Sequence, residues 1–194
     1  MYKDIEFVCT GNNTRSVILE ATANHVARVN RYDLNFSSSG TLVDSIDTIN
    51  DSEIIHQIGE DLEKAVRRGV LNDVIVPAFY EDPRAILGIL LQRERGIRQQ
   101  MIEKNLGYCF KHQSKQTVVR PEAELILTVT GDNWRRLQQI YENVERKPDI
   151  QLVNDFIDSD FNFEEEWPAS YEDSKRMALM LDVAARQIVL KLAS

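Results

Sequence analysis

The sequence predicts an α/β chain: a four-stranded parallel sheet in a three-layer α/β/α arrangement. Three observations lead there. Short apolar runs alternate with longer segments whose apolar residues recur at helical spacing, the pattern of a parallel sheet covered on both faces. The first run ends in a Gly/Asn-rich turn that feeds straight into a helical segment. The chain has 194 residues, 43% of them hydrophobic, with only eight Gly and five Pro, which suits one domain with a real core.

Asp4–Cys9 is the first expected strand, through Ile5, Phe7 and Val8. Thr14 to about Val29 follows as helix, with Val17, Ile18, Ala21, His25 and Val26 near one face. Asn35–Ser38 is the second strand. Asp51 to Arg68 is helical, since Ile54, Ile55, Ile58, Leu62 and Val66 share a stripe and Asp51 or Ser52 can cap it. Val70–Pro77 is extended or turn. Asp82 to about Asn105 is helix, opened by Asp82-Pro83 with Pro near the first turn and stopped by Leu106-Gly107. Glu124–Thr130 is the third strand. Asp132–Val144 is helix, with Trp134, Leu137, Ile140 and Tyr141 inward. Ile150–Val153 is the fourth strand. Tyr171–Leu192 closes the chain as a helix striped by Met177, Leu181, Ala184, Ile188 and Leu192. The expected organisation is a single domain over 1–194 with a helical insertion at about 72–109. Its apolar stripe (Ile86, Leu87, Leu90, Leu91) packs, and Gln92-Arg93-Glu94-Arg95 forms a solvated face.

Composition narrows the function. A net charge of −8 disfavours general nucleic-acid binding, so any anion site must create its positive potential locally. No apolar run is long enough to span a membrane. Met1-Tyr2-Lys3-Asp4 enters a strand without a signal-peptide pattern, so a cytoplasmic location is expected. Two cysteines, Cys9 and Cys109, make no disulfide scaffold, and His25, His56 and His112 have no metal-ligand spacing. No cofactor or metal is expected, and the oligomeric state stays open.

The chemistry concentrates in Cys9-Thr10-Gly11-Asn12-Asn13-Thr14-Arg15-Ser16. Strand, tight loop and helix N-terminus together wrap an oxyanion, because backbone N–H groups turn inward and the helix dipole adds positive potential. That field suits a sulfur anion at Cys9. Arg15 can grip two phosphate oxygens through its planar fork. A sulfur nucleophile beneath a bound phosphate can cleave a phosphoester through a cysteinyl-phosphate. The plainer alternative is a Cys that merely ends a buried strand. The loop is not a Walker loop, since it has neither the second Gly nor the Lys.

Val8 to Ser16 resembles the N-terminal signature of the low-molecular-weight protein tyrosine phosphatases, a family that includes thioredoxin-coupled arsenate reductases. Phe36-Ser37-Ser38-Ser39-Gly40-Thr41 is similar to the family's Ser-Ala-Gly-Thr after strand two. His112-Gln113-Ser114-Lys115-Gln116 resembles the His-containing stretch before strand three, and Glu124–Val129 resembles strand three itself. The resemblance implies a flavodoxin-like strand order, 2-1-3-4, and a phosphorylated protein or small phosphoester as substrate. It implies Cys9 as nucleophile and Arg15 as the group that binds phosphate and stabilises the in-line transition state. Asn12 would hold the loop's shape, Ser16 would donate to the sulfur, and Ser38 would brace Asn12.

The chain departs from the family's pattern in three places. Thr14 stands where a second Cys is common, and Asn13 replaces a usually apolar residue. Trp167 of Trp167-Pro168 occupies the slot of the general acid, an Asp in an Asp-Pro pair. Asp158 is the replacement favoured here, with Glu166, Asp160 and Asp155 as alternatives. The same acids can equally form a solvated loop. Phe156, Phe161, Phe163, Trp167 and Tyr171 either line a pocket or belong to the core. Three functions follow. The first is a cysteine-dependent phosphatase of phosphotyrosine or a small phosphomonoester. The second is a catalytically weakened oxyanion-binding regulatory protein. The third is an arsenate reductase, which needs further thiols and finds only Cys109.

Overall fold

The computed structural model describes residues 2–43, 52–107, 110, 112–164 and 167–194. Four parallel strands, β1 (Asp4–Cys9), β2 (Asn35–Gly40), β3 (Leu125–Thr128) and β4 (Asp149–Leu152), lie in the order β2-β1-β3-β4. The helices are α1 (Arg15–Asn30), α2 (Ser52–Arg67), α3 (Ile75–Glu81), α4 (Pro83–Leu106), α5 (Gly131–Ile140), α6 (Val153–Ile157) and α7 (Tyr171–Ala193). The class and strand order match the sequence expectation.

Three apolar clusters hold the elements. On one face of the sheet, Ile5, Phe7, Phe36, Leu125 and Leu127 meet α1 and α7 through Ile18, Leu19, Leu181 and Ile188. Phe7 and Phe36 stack with ring centroids 5.7 Å apart. On the other face, Val8 and Ile126 meet Leu137 and Tyr141 around α5. The two-residue period of β1 thus sends Phe7 and Val8 to opposite layers. A third cluster stands apart: Leu62, Phe79 and Leu90 from α2, α3 and α4, with Ile55, Ile58 and Ile86 around them. The long helix α4 spans two clusters, since its later residues Met101 and Ile102 join the main core.

The structure corrects several boundaries. Part of the stretch expected as extended or turn is helix α3. Pro77 sits in that helix's first turn, where its missing N–H costs nothing. The short α6 begins at Val153, one residue after β4, where the strand was expected to continue. Helix α5 ends at Ile140, with Tyr141 as its C-cap. Trp134 is not inward: it is exposed, and its indole N–H donates to the Ile150 carbonyl at 3.2 Å. The start of α4 is as expected, with Pro83 in its first turn and the Asp82 carboxylate accepting from the Ala85 N–H at 3.0 Å. Among the described residues no helix is long and apolar enough to cross a membrane.

Candidate active site

Cys9 ends β1 at the carboxyl edge of the sheet, beside the switch point where the chain order reverses between β1 and its two neighbours. Thr10 to Thr14 loop over that edge and enter α1 at Arg15. The backbone of this loop is held from outside. The Cys9 carbonyl accepts from the Thr41 N–H at 3.0 Å, and the Thr10 carbonyl from the Leu42 N–H at 2.9 Å. The Asn12 carbonyl accepts from the Ser114 hydroxyl at 3.0 Å, the Asn13 carbonyl from the Arg98 guanidinium, and the Thr14 carbonyl from the Ile18 N–H at 3.0 Å. In a trans peptide the N–H points opposite to its carbonyl, so each outward carbonyl turns the next N–H inward. Among the described residues no protein acceptor takes the N–H of Thr10, Gly11, Asn12, Asn13 or Thr14. The N–H groups of Thr10, Gly11, Asn13 and Thr14, each turned inward by an outward carbonyl, form a concave positive cradle with the N-terminal end of α1.

Asn12 fixes the cradle's shape. Its φ of 44° is left-handed, a conformation Asn tolerates better than most residues. Its amide group donates to Ser16 Oγ at 3.0 Å and to Ser38 Oγ at 2.8 Å. Its Oδ1 accepts from the Lys115 N–H at 2.8 Å and lies 2.9 Å from His112 Nε2. Since Oδ1 only accepts, Nε2 carries the proton. Ser38 passes the network on to Glu20, donating at 2.6 Å. His112 is thus bonded to Asn12. Burial and the positive charges of Arg98 and Lys115 push its pKa down to about 4, so it is neutral near pH 7. Burial holds the Glu20 carboxyl above its ordinary range, opposed by the Ser38 hydroxyl.

Cys9 is buried, and its Sγ lies 3.0 Å from the Ser16 hydroxyl, which is also fully buried. The Arg15 guanidinium donates to the Phe163 carbonyl at 3.1 Å. Hydrogen bonds thus join Cys9 to Ser16, and Asn12 to both Ser16 and Ser38, whereas the Arg15 guanidinium is bonded to the Phe163 carbonyl and to no loop atom among the described residues.

Asn13 has an environment that the sequence did not reveal. Its side chain turns into α4 and donates to Glu94 Oε2 at 3.0 Å and to the Leu91 carbonyl at 3.4 Å, while its Oδ1 accepts from Arg95 Nε at 2.8 Å. Arg95 and Glu94, expected on a solvated face, instead clasp the loop. Arg98, also missed, is only 4% exposed. Nothing in the sequence signals these partners, because they lie more than seventy positions from Asn13 and look like ordinary helix-surface residues.

Among the described residues, the candidate acids Asp155, Asp158 and Asp160 form no hydrogen bond or ion pair with the loop. Asp155 and Asp160 are exposed, and Asp158 sits exposed at the C-cap of α6 with φ 52°. None of the three makes a hydrogen bond or ion pair to Cys9 or Arg15; Glu166 lies outside the described residues, as does Cys109. Trp167 packs with the cluster of Leu62, Phe79 and Leu90, and the Pro168 carbonyl accepts from Arg68 at 3.2 Å. Phe156, Phe161 and Phe163 belong to the main core, while Tyr171 is exposed. A cavity of about 440 Å³ lies between this stretch and α7, lined by Arg68, Asn162, Glu164 and Arg176 among others, and no loop residue lines it. The loop is the better candidate, since it joins a buried thiol to convergent N–H donors. No cluster of His, Cys, Asp and Glu among the described residues could hold a metal ion.

No protein-family model and no curated protein sequence matches the chain. Solved structures match its fold. A YwlE mutant from Bacillus subtilis matches with a TM-score of 0.64 at 16% identity, covering 99% of this chain and 99% of that one. A low molecular weight phosphotyrosine phosphatase from Vibrio cholerae O395 matches at 0.64 and 18% identity, covering 98% and 96%. A Drosophila arginine phosphatase matches at 0.62 and 15% identity, covering 99% and 95%. The chain therefore shares the fold of the low molecular weight protein tyrosine phosphatases.

Proposed function

We propose that this chain is a cysteine-dependent phosphatase of the low molecular weight class, acting on phosphotyrosine or a small phosphomonoester, with 72–109 as a helical insertion in a single domain. The observation that carries this reading is the set of inward-turned N–H groups in the loop that starts at the buried Cys9, whose Sγ lies 3.0 Å from the Ser16 hydroxyl. In the proposed reaction Cys9 Sγ attacks phosphorus opposite the leaving oxygen. A P–S bond forms as the P–O bond breaks, and the cradle with Arg15 holds the equatorial oxygens. An acid, with Asp158 the first candidate and Glu166, Asp160 and Asp155 behind it, gives its proton to the leaving oxygen. Water then attacks phosphorus, giving its proton to the carboxylate left by the acid, and the P–S bond breaks with its electron pair on sulfur. Ser16, 3.0 Å from Sγ, donates a hydrogen bond to the departing sulfur.

A second reading is a weakened enzyme that retains oxyanion binding. It is favoured by one observation: the residue in the acid's slot, Trp167, is packed among Leu62, Phe79 and Leu90. Steady-state hydrolysis of para-nitrophenyl phosphate across pH, in wild type, Cys9→Ser and Asp158→Asn, tests both. Phosphatase activity that vanishes in Cys9→Ser is the expected result, and persistence in that variant would sink the first reading. Loss of the high-pH limb in Asp158→Asn would nominate that acid. Phosphate binding without turnover would select the second reading. Two neighbours are arginine phosphatases by name, so phosphoarginine belongs on the substrate panel beside phosphotyrosine.

A further inference from the structure

Helix α4 places a buried charge against the loop, with the Glu94 carboxylate one turn earlier bonded to Asn13 instead of to it. Arg98 is 4% exposed, and its Nε has no hydrogen-bond partner. Among the described residues no carboxylate forms an ion pair with it. Its Nη1 donates to the Asn13 carbonyl. A lone buried cation is unfavourable unless an anion comes close. Beside Arg98 lies the anion-binding cradle, whose wall it touches at the Asn13 carbonyl.

We propose that Arg98 is a positioning residue for the bound phosphate, reinforcing the oxyanion site from behind the loop. This rests on the phosphatase reading of that loop. The effect has two parts. The Asn13 carbonyl and the Thr14 N–H belong to one peptide unit, so a charged donor on the carbonyl polarises the unit and strengthens the N–H that faces the ligand. In addition, the guanidinium charge acts through protein rather than water, where screening is weak. Its field reaches the network behind the loop: Arg98 is among the charges that depress the pKa of His112, the partner of Asn12. Burial and the neighbouring Arg95 lower the pKa of Arg98 itself to about 10, so it stays charged at neutral pH. Arg95 and Glu94 fix the Asn13 side chain on the same helix, which keeps the Asn13 carbonyl aligned with Arg98.

The test measures inorganic phosphate affinity by calorimetry, beside KM and kcat for para-nitrophenyl phosphate, with a melting curve for every variant. Arg98→Met should weaken phosphate binding roughly tenfold and raise KM by a similar factor, with a smaller change in kcat. Arg98→Lys, which keeps the charge, should recover most of that affinity. Arg98→Gln keeps a donor for the carbonyl without the charge, and serves if the Met variant does not fold. It too should bind more weakly than wild type. Unchanged phosphate affinity in a folded Met or Gln variant overturns the proposal. So does a Lys variant as weak as Met or Gln, which would make the role purely structural. Wild type that binds no phosphate and turns nothing over would instead overturn the phosphatase reading itself.

Discussion

A Cβ on Gly40 would lie 2.6 Å from the Asn12 amide nitrogen and 2.7 Å from the Thr10 carbonyl oxygen, so the end of β2 and the loop are in direct backbone contact. Neither neighbour is a flexible side-chain tip. Gly40 also takes the Lys115 carbonyl on its own N–H and gives its carbonyl to Thr117, which holds it in place from the other side.

Gly40→Ala is therefore expected to push the loop out of shape. The overpacking should cost about 1–3 kcal/mol of stability. Vanadate inhibition and phosphate binding should fall further than stability does, because the displaced atoms are those of the cradle. Melting curves beside a vanadate titration check this, and a variant with wild-type vanadate affinity would contradict it.

His112 makes the stability of the fold depend on pH. Its pKa is lowered from 6.5 to about 4 in the folded state, so between those values the unfolded chain binds more protons. The stabilisation is present above pH 6.5 and is lost as the pH falls toward 4. The full gap corresponds to about 3 kcal/mol. Urea unfolding at pH 7 and pH 4.5 should show this loss in wild type, and His112→Gln should lack most of it.

Trp167 faces the cluster of α2, α3 and α4, so changing it should act on stability before chemistry. Trp167→Ala is expected to cost about 2–4 kcal/mol through lost packing. Trp167→Asp should be destabilised as well and should add no acid-dependent limb to the pH–rate profile, since position 167 points into apolar side chains. A faster, newly pH-dependent Trp167→Asp enzyme would show that the residue can reach the leaving group.

Much of the frame was legible in the sequence because its signals are local. Strand β1 was expected at its observed bounds, since an apolar run ending in Gly and Asn leaves little freedom. The Asp82-Pro83 start and the Gly107 stop of α4 are capping chemistry within a few residues. Helix α6 was hidden because five residues leave no periodicity to read. Trp134 misled because an apolar residue on a helical stripe was given an inward place, yet it lies at the helix's first turn, where its N–H finds the edge of β4. The loop's own residues were legible as a motif. Their supports, Arg98 and Ser114, were not, because a hydrogen bond between positions 13 and 98 leaves no mark on either neighbourhood.

Asn13, Trp167 and the 72–109 segment look like three unrelated departures when the chain is read in line. In space they are one assembly. Helix α4 holds Asn13 by its middle turns and shares the cluster containing Trp167 through its first. Helix α4 thus has a grip on each of two distant stretches, and the unusual residue in each is the handle it uses. Excising the segment while leaving Asn13 and Trp167 behind would strand one polar and one aromatic side chain without their seats.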